Sequence, residues 1–556
     1  MSQDVSTDSF EARKHEWEQR RARYADKLRP GKTLSGLPVK TVYTKEDVTD
    51  SDLDEMPGVY PFTRGLYPDG YALTPWMQQM VFGYGTIEET RQKMEKMVEE
   101  GMEGYFGHKV FNTVYDIPCM YGIDADDPEA VGNLGQCGVH MSTGDDYDEL
   151  IRGWDLESTN FSMITGDNCL PALALLAAAV ERRGEPFSKM HGNSMNWYPR
   201  IAVQDVPSWE PKWGYALIID LVKWAMENAP DWNPVNIFMY GISEAGATPV
   251  QELAYGLAWG KSIIDAGLAA GLAPDDFIGR LSFQIGCTVN VFEEVAKFRA
   301  HRRMWAKICK DAGATKPSNM LARVHVHTSG YVLTQQQLLN NTGRITLQTL
   351  AAVLGGVASI HTCSYDEAVG VPTEESHRTA LRTQQILMWE SGLREVADPL
   401  GGSYFVEQLT DDMEAAAWEI YDEIEAAGGY QRGIETGEIK RAIDNSSYEL
   451  KKMVNSGELP VVGVNRYVTD EQENYEPFRI DESIEEKAKA RLQDYRARRD
   501  ETAVRAALEN VRVACEALKE GTGSLMPALV DAARAGATNG EMMVPMRDAF
   551  GWFVSE

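Results

Sequence analysis

The chain has 556 residues, three or four domains' worth at roughly 150 each, and its 43% hydrophobic and 25% charged content is that of a globular protein, not a disordered, collagenous or membrane-spanning one. Lys and Arg number 54 against 84 Asp and Glu, a net charge of −30; so acidic a surface repels nucleic-acid phosphates and anionic headgroups, which excludes nucleic acid and membrane as first-choice partners. The same field opposes an acidic small ligand, so a phosphate-bearing substrate needs a locally basic or neutral way in.

The N-terminus has no apolar targeting segment. Glu11–Lys27 is charged and helix-favouring, followed by a Pro/Gly connector; residues 1–58 therefore read as an arm and linker, either solvated or gripping a partner subunit. Residues 59–402 alternate glycine-bounded β-like runs with helix-period stretches. Strands are predicted over 159–165, 236–244, 280–286, 322–330 and 358–367, and helices over Tyr215–Asn228, Thr248–Ala270, Val291–Ala312 and Gln335–Leu354. Repeated βα units predict an α/β fold, a (β/α)8 TIM barrel, with a doubly wound sheet as the alternative. The staves are unusual: barrel interiors are normally Val, Ile and Leu, whereas these strands carry Ser, Thr, Asn, His and Gly. Inward small polar groups would leave a lumen that an extended ligand could thread; the plainer reading puts half of them in the rim loops. After Gly402 the composition turns to Ala, Glu, Lys and Arg, and 403–556 read as a C-terminal α-helical region with helices over Asp411–Ala427, Glu482–Arg499, Ala503–Leu518 and Ser524–Ala535.

The longest apolar run, Ala172 to Val180, is too short to cross a bilayer. Seven scattered cysteines without a C-x-x-C pair fit reduced thiols in a cytoplasm. Phosphate-loop, dinucleotide, zinc-protease and serine-hydrolase motifs are absent. Polar residues gather instead at three strand ends: Tyr240 to Ala247, Arg323 to Gly330, and Ser359 to Ala368. Glu244 and Glu367 could anchor ribose hydroxyls. His325 and His327, two apart, share a strand face. No ligand spacing supports a metal site, and capping or satisfied core roles are the plainer alternative.

Arg64-Gly65-x-Tyr67, Pro75-Trp76, Tyr115-Asp116-Ile117-Pro118, Tyr240 with Glu244-Ala245-Gly246-Ala247, Arg280-Leu281-Ser282-Phe283, His325-x-His327-Thr328-Ser329-Gly330, and Asp366-Glu367-Ala368 with Glu390-Ser391-Gly392 resemble, in order and spacing over roughly residues 60–555, the methylmalonyl-CoA mutase family of adenosylcobalamin-dependent acyl-CoA mutases. The resemblance implies a barrel threaded by the pantetheine arm of coenzyme A and a radical carbon-skeleton rearrangement, a 1,2-shift of the thioester carbonyl group, with the cofactor supplying the radical. It places Glu244 and Glu367 near the adenosyl group; Tyr115, Cys137, Gly330 and Gly370 near the corrin; and Tyr67, Thr74, Gln79, Asn112, Arg280, Ser282 and His325 along the CoA path. Members carry a Rossmann-like cobalamin domain marked D-x-H-x-x-G or take it from a small subunit. This sequence lacks that motif, so the resemblance implies a large subunit, closest in type to isobutyryl-CoA and 2-hydroxyisobutyryl-CoA mutases. It would pair with a small cobalamin-binding subunit in a hetero-oligomer such as α2β2, with a G-protein chaperone for cofactor loading.

Three departures bear on substrate. Val81 stands where the family has a tyrosine pressing on substrate and adenosyl, Gln204 where methylmalonyl-CoA mutase has an arginine for the free carboxylate, and Gly241 where a histidine meets the thioester carbonyl, beside the retained Tyr240. A buried carboxylate without its arginine costs roughly 2–5 kcal/mol, which disfavours methylmalonyl-CoA. The lost bulk predicts a roomier pocket for an uncharged branched acyl group, or for a larger branched or aromatic one, with Arg200 or Lys212 supplying a relocated carboxylate partner. Other classes stay open: an inactive scaffold homologue, and an unrelated CoA-binding barrel enzyme that needs no cobalamin.

Overall fold

The computed structural model describes residues 9–22, 31–49, 53–104, 107–198, 203, 208–469, 475–481 and 483–553. Eight parallel staves form the centre. They are β1 (Met77–Gln78 and Val81–Phe82), β2 (Lys109–Val114), β3 (Thr159–Gly166), β4 (His191–Asn196), β5 (Trp232–Asn233 and Val235–Phe238), β6 (Leu281–Cys287), β7 (Arg323–Thr328) and β8 (Ser359–His361). Around them run α1 (Ile87–Glu99), α2 (Gly144–Ile151), α3 (Cys169–Arg182), α4 (Pro211–Asn228), α5 (Pro249–Ala269), α6 (Val291–Asp311), α7 (Asn340–Leu354) and α8 (Glu374–Trp389), one after each strand. This is the predicted (β/α)8 barrel.

The ring closes through two interrupted strands. The first half of β1 pairs with β8 and its second half with β2; the first half of β5 pairs with β4 and its second half with β6. Side chains fill in where the ladders break. His361 Nδ1 accepts the Val81 N–H at 3.1 Å, and Pro234, which has no N–H to lose, offers its carbonyl to Asn196 Nδ2 at 2.7 Å.

Helix starts follow local chemistry. Thr86 with Glu89, and Thr248 with Gln251, form capping boxes for α1 and α5. The Ala172–Val180 run lies wholly buried inside α3, so its apolar length belongs to a barrel core. Among the described residues no helix is long and apolar enough to cross a membrane.

Two strand predictions run too long. The one over 236–244 ends at Phe238, and Met239–Glu244 turns into a short helix; only 359–361 of the one over 358–367 is strand. In both, the polar residues past the ladder leave the sheet to build the rim. Three staves, β1, β2 and β4, are missing from the sequence reading.

The N-terminal helix, Phe10–Ala22, buries no residue. Beyond it, the backbone N–H groups of Leu34 and Ser35 donate to Glu293 at the start of α6 (2.8 and 2.9 Å) and anchor the linker. Helices α9 (Tyr404–Ala426), α10 (Glu438–Ser456), α11 (Ile484–Arg498), α12 (Glu501–Lys519), α13 (Met526–Ala535) and α14 (Asn539–Phe550) clasp the barrel from two sides. Along α9 the ion pairs Arg299–Glu407 (2.6 Å), Arg303–Asp411 and Lys307–Glu414 (2.6 Å) run in step with α6. On the other side Arg491 reaches Glu88 and Asp146 (2.6 and 2.8 Å), and Arg534 reaches Glu181 (2.7 Å). Gly246, at φ +103°, lets α10 approach the rim: a Cβ there would stand 2.5 Å from Ser447 Cβ. The chain returns in Trp552–Phe553, antiparallel to Ser208–Trp209, with the two tryptophans stacked at 4.7 Å.

Candidate active site

Strand alternation decides what the lumen meets. Phe111, Phe161, Met163, Ile237, Phe283, Ile285, Val324, Val326 and Ile360 join the hydrophobic core outside the ring. Their neighbours therefore point inward. Register aligns Val81, Asn112, Ser162, Asn193 and Asn233 at one level, Asn236 beside Ser282, and Gln284, His325 and Ser359 beside one another. These levels of the interior are mostly polar, as the threaded-lumen reading of the staves expects, although Val81, Val110, Val114, Ile164 and Phe238 share the inward faces of their strands.

Several of these groups are only partly satisfied. Ser162 donates to Asn193 Oδ1 (2.7 Å), Asn236 Nδ2 to Ser282 Oγ (3.0 Å), and His325 Nδ1 lies 2.8 Å from Ser359 Oγ. Yet both amide atoms of Asn112, Asn236 Oδ1, Gln284 Oε1 and His325 Nε2 are buried without a hydrogen-bond partner among the described residues. Buried polar atoms left so cost about 1–3 kcal/mol each; a row of them along one channel fits a ligand with its own alternating donors and acceptors. Burial drives the His325 pKa to about 3, so its ring is neutral.

The lumen joins two ends. At the N-terminal end, Arg280 precedes β6 and donates from Nη2 to the carbonyls of Ala229 (3.2 Å) and Pro230 (2.7 Å), while its Nη1 is buried without a partner among the described residues. Tyr67 and Thr74 line a cleft with Arg64, Tyr71 and Ala358, beside the start of β8. Strands of six to seven residues at about 3.3 Å per residue make a path of roughly 20 Å to the other end.

At the C-terminal end Tyr240, Glu244, Gly330 and Glu367 converge. Glu244 Oε2 accepts the Tyr331 N–H at 3.0 Å, and its Oε1 is buried without a partner among the described residues. Burial raises Glu244 to about 7, with Glu252 and Glu367 adding to it against the Tyr331 and Ser329 hydrogen bonds; burial and the Asp366 charge raise Glu367 to about 7. Burial also holds the Tyr240 phenol well above its usual value. A Cβ on Gly330 would stand 3.4 Å from Glu244 Oε2, 3.8 Å from Glu367 Cγ and 3.9 Å from Tyr240 Oη. Gly330 thus leaves a floor walled by two carboxyls and a phenol, a cradle that fits a ribose with its hydroxyl pair.

Other expected residues fall around this end. Gln79, buried, lies in the break of β1, and Val81, partly exposed, opens its second half, where His361 receives the Val81 N–H. Gly241 lies in the short helix after β5. Cys137 is exposed. A Cβ on Gly370 would stand 3.6 Å from Pro477 Cβ. Tyr115 is wholly buried, its hydroxyl on Met163 Sδ (3.3 Å), so the segment around it, and not its ring, reaches the rim. Gln204 and Arg200 lie outside the described residues. Lys212, largely exposed, pairs with Glu210 at 2.9 Å. His327 and His361, opposite each other in register, have ring centroids 4.2 Å apart with their planes tilted by 51°, and the Tyr240 ring lies 4.2 Å from His327 at a tilt of 33°. His361, with Gln284 and Asn236, is absent from the expected site set; polar residues alternating with apolar ones in the SIHT and FQIG runs were the available signal.

Residues 32–552 match the family model described as methylmalonyl-CoA mutase. The chain belongs to this family. Its relatives include the 2-hydroxyisobutanoyl-CoA mutase large subunit of Aquincola tertiaricarbonis, 36% identical over 94% of this chain and 92% of the relative. The methylmalonyl-CoA mutase of Cereibacter sphaeroides is 37% identical over 93% of this chain and 72% of its own length, and the mitochondrial methylmalonyl-CoA mutase of Homo sapiens 35% identical over 93% and 68%. The family's enzymes are adenosylcobalamin-dependent acyl-CoA mutases, and this mutase is an isomerase of that kind. Glu244 and Glu367 beside Gly330 are the residues that would fit the ribose of such a cofactor.

Proposed function

We propose that this mutase is a large, substrate-binding subunit that rearranges a branched acyl-CoA without a free carboxylate, partnered by a small cobalamin-binding subunit. The observation that carries the reading is the polar lumen with its unpartnered amides, leading from Arg280 to the Glu244–Glu367 cradle. Arg280, Tyr67 and Thr74 hold the nucleotide end of coenzyme A. Asn112, Ser282, His325 and Gln79 line the path of the pantetheine arm, whose amides pair with the buried donors and acceptors. Glu244 and Glu367 hold the adenosyl ribose. Cys137, Gly330, Gly370 and the Tyr115 segment receive the corrin face. When bound, adenosylcobalamin supplies the radical that starts a 1,2-shift of the thioester carbonyl group. The chain's own task is to align acyl group and ribose and to exclude water through the buried walls of the lumen.

On the acyl side stand Val81, Tyr240, Gly241, His327 and His361, none of them a cation at neutral pH. That set, with Gln204 at the expected arginine position, supports a neutral acyl group over methylmalonyl-CoA. A bulkier branched or aromatic acyl group is the second reading, favoured by the small Val81 and Gly241. The seven cysteines are all unpaired, which supports a reducing cytoplasm. An α2β2 assembly and a G-protein loading chaperone complete the proposal.

The test is turnover of the chain reconstituted with a D-x-H-x-x-G small subunit and adenosylcobalamin on isobutyryl-, 2-hydroxyisobutyryl-, methylmalonyl- and phenyl-bearing acyl-CoAs. Cobalamin-dependent isomerisation of a neutral acyl-CoA is expected. Turnover without cobalamin, methylmalonyl-CoA as the best substrate, or no cob(II)alamin signal with any acyl-CoA would overturn it.

A further inference from the structure

The two imidazoles at the C-terminal end of the lumen, His361 and His327, have proton positions set by their neighbours. The Val81 N–H points at His361 Nδ1 (3.1 Å). A backbone N–H can only donate, so Nδ1 is the bare nitrogen and the His361 proton sits on Nε2. His327 Nδ1 lies 3.0 Å from the Thr328 carbonyl oxygen, which can only accept; Nδ1 therefore carries the proton and Nε2 the lone pair. Both rings belong to the inward face, paired across β7 and β8, and His327 is partly exposed although it stands inside the barrel. Burial holds both imidazoles neutral, His327 at about 4 and His361 well below its usual value.

Cys363 completes a trio whose candidate ligating atoms lie within 4.8 Å of one another, the geometry of a three-ligand metal site. Its hydrogen bonds argue otherwise. The His361 Nδ1 lone pair is spent on Val81, and moving its proton to free Nε2 would set one N–H against another. The Cys363 thiol donates to the Thr328 carbonyl at 3.1 Å. The trio is a hydrogen-bonded wall.

We infer that His361 Nε2–H and His327 Nε2 form a donor–acceptor pair that reads a hydroxyl group on the acyl chain, making the substrate a hydroxyacyl-CoA. The inference rests on the acyl-CoA reading above and adds the class of acyl group. A hydroxyl gives and takes one hydrogen bond at a single oxygen, the complement of this pair. A carboxylate would set its lone pairs against that of His327, and a methyl group would leave both nitrogens unmatched in a desolvated pocket. Sites built around such a bond reject the analogue that lacks it far more strongly than apolar pockets reject a missing methylene.

The test is calorimetric binding of acyl-CoAs to the full chain, which needs no cobalamin. 2-Hydroxyisobutyryl-CoA is compared with its methyl isostere pivaloyl-CoA, and 3-hydroxybutyryl-CoA with isovaleryl-CoA, in the wild type, His327→Asn and His361→Asn. Asparagine at 361 keeps an acceptor for the Val81 N–H while removing the distal donor, and at 327 it keeps the donor to Thr328 while removing the distal acceptor. One hydroxyacyl-CoA binding at least tenfold tighter than its isostere, with the preference falling below threefold in either variant, is the expected result. Isosteres bound within threefold in the wild type, or a preference intact in both variants, overturns the inference and leaves the mutase reading standing. No binding of any acyl-CoA overturns both. Nitrogen-15 spectra of histidine-labelled protein add a second readout: Nδ1–H for His327 and Nε2–H for His361 are expected, and the opposite tautomers overturn the pair.

Discussion

The backbone N–H of Tyr331 donates to Glu244 Oε2 at 3.0 Å, so the strand end after β7 fixes, at the end of the short helix after β5, the carboxyl oxygen that faces Gly330, while Oε1 has no partner among the described residues. Burial nevertheless puts Glu244 and Glu367 near 7. Both folded-state values lie above the usual carboxylate value. Their protonated forms thus stabilise the fold fully below about pH 4.5, and that contribution is lost as pH rises through about 7. Each is worth on the order of 3 kcal/mol over that window. Urea midpoints between pH 5 and 8.5 are expected to fall in the wild type and to fall distinctly less in Glu244→Gln and Glu367→Gln. Parallel profiles in all three proteins would show that neither carboxyl titrates there.

Asn112 carries two buried amide atoms without partners among the described residues, a cost that serves the ligand and not the fold. Asn112→Leu, close in volume, removes it. A stability gain of about 1–2 kcal/mol is expected, together with at least tenfold weaker acyl-CoA binding; thermal denaturation and calorimetry read the two. A variant less stable than the wild type, or one binding acyl-CoA equally well, contradicts this use of the lumen.

Arg299 is buried between Asp398 (2.7 Å) and Glu407 (2.6 Å), tying α6 to α9. Arg299→Ala leaves the buried Glu407 carboxylate without its cation, while Asp398 keeps Arg64 at 2.8 Å, and a loss of about 3–5 kcal/mol is expected in urea unfolding. Adding Glu407→Gln should return part of it, because much of the cost lies in the abandoned charge; a double variant as weak as the single one would assign the loss to packing instead.

Gly246→Ala meets two obstacles, a positive φ and a new methyl group 2.5 Å from the Ser447 Cβ and 2.8 Å from the Ser447 backbone. A destabilisation of roughly 2–3 kcal/mol is expected. Ser447→Gly beside it should recover only part, since the backbone strain and the crowding against the main chain of α10 remain. Since Gly246 follows Glu244 by two residues, kcat should fall with stability.

Helices were the legible part of the fold. Thr248-Pro249 with Gln251 announces α5 to within a residue, and the α6 boundary at Val291 is read directly. Staves were harder for a physical reason: HGNSMN, β4, has neither β-branched nor aromatic residues, because its inward positions face a polar lumen and not a packed core. β1 breaks after two residues, below any periodicity window. At the site, strand ends with Glu, His and Gly marked the right rim, but which residues meet there depends on register between strands over a hundred positions apart, and His361 gained its place only through the Val81 N–H.

The two interrupted strands, first and fifth of eight, stand on opposite sides of the ring. The barrel is thus a pair of half-shells joined through the main chain of those two strands, with an imidazole taking up the slack at one joint and an asparagine beside a proline at the other. Its compliance is concentrated along those two lines. Amides within β2, β3, β6 and β7 should exchange with solvent only through global unfolding, those flanking Val81 and Pro234 through local parting, so the bore can change width while each shell keeps its ladders whole.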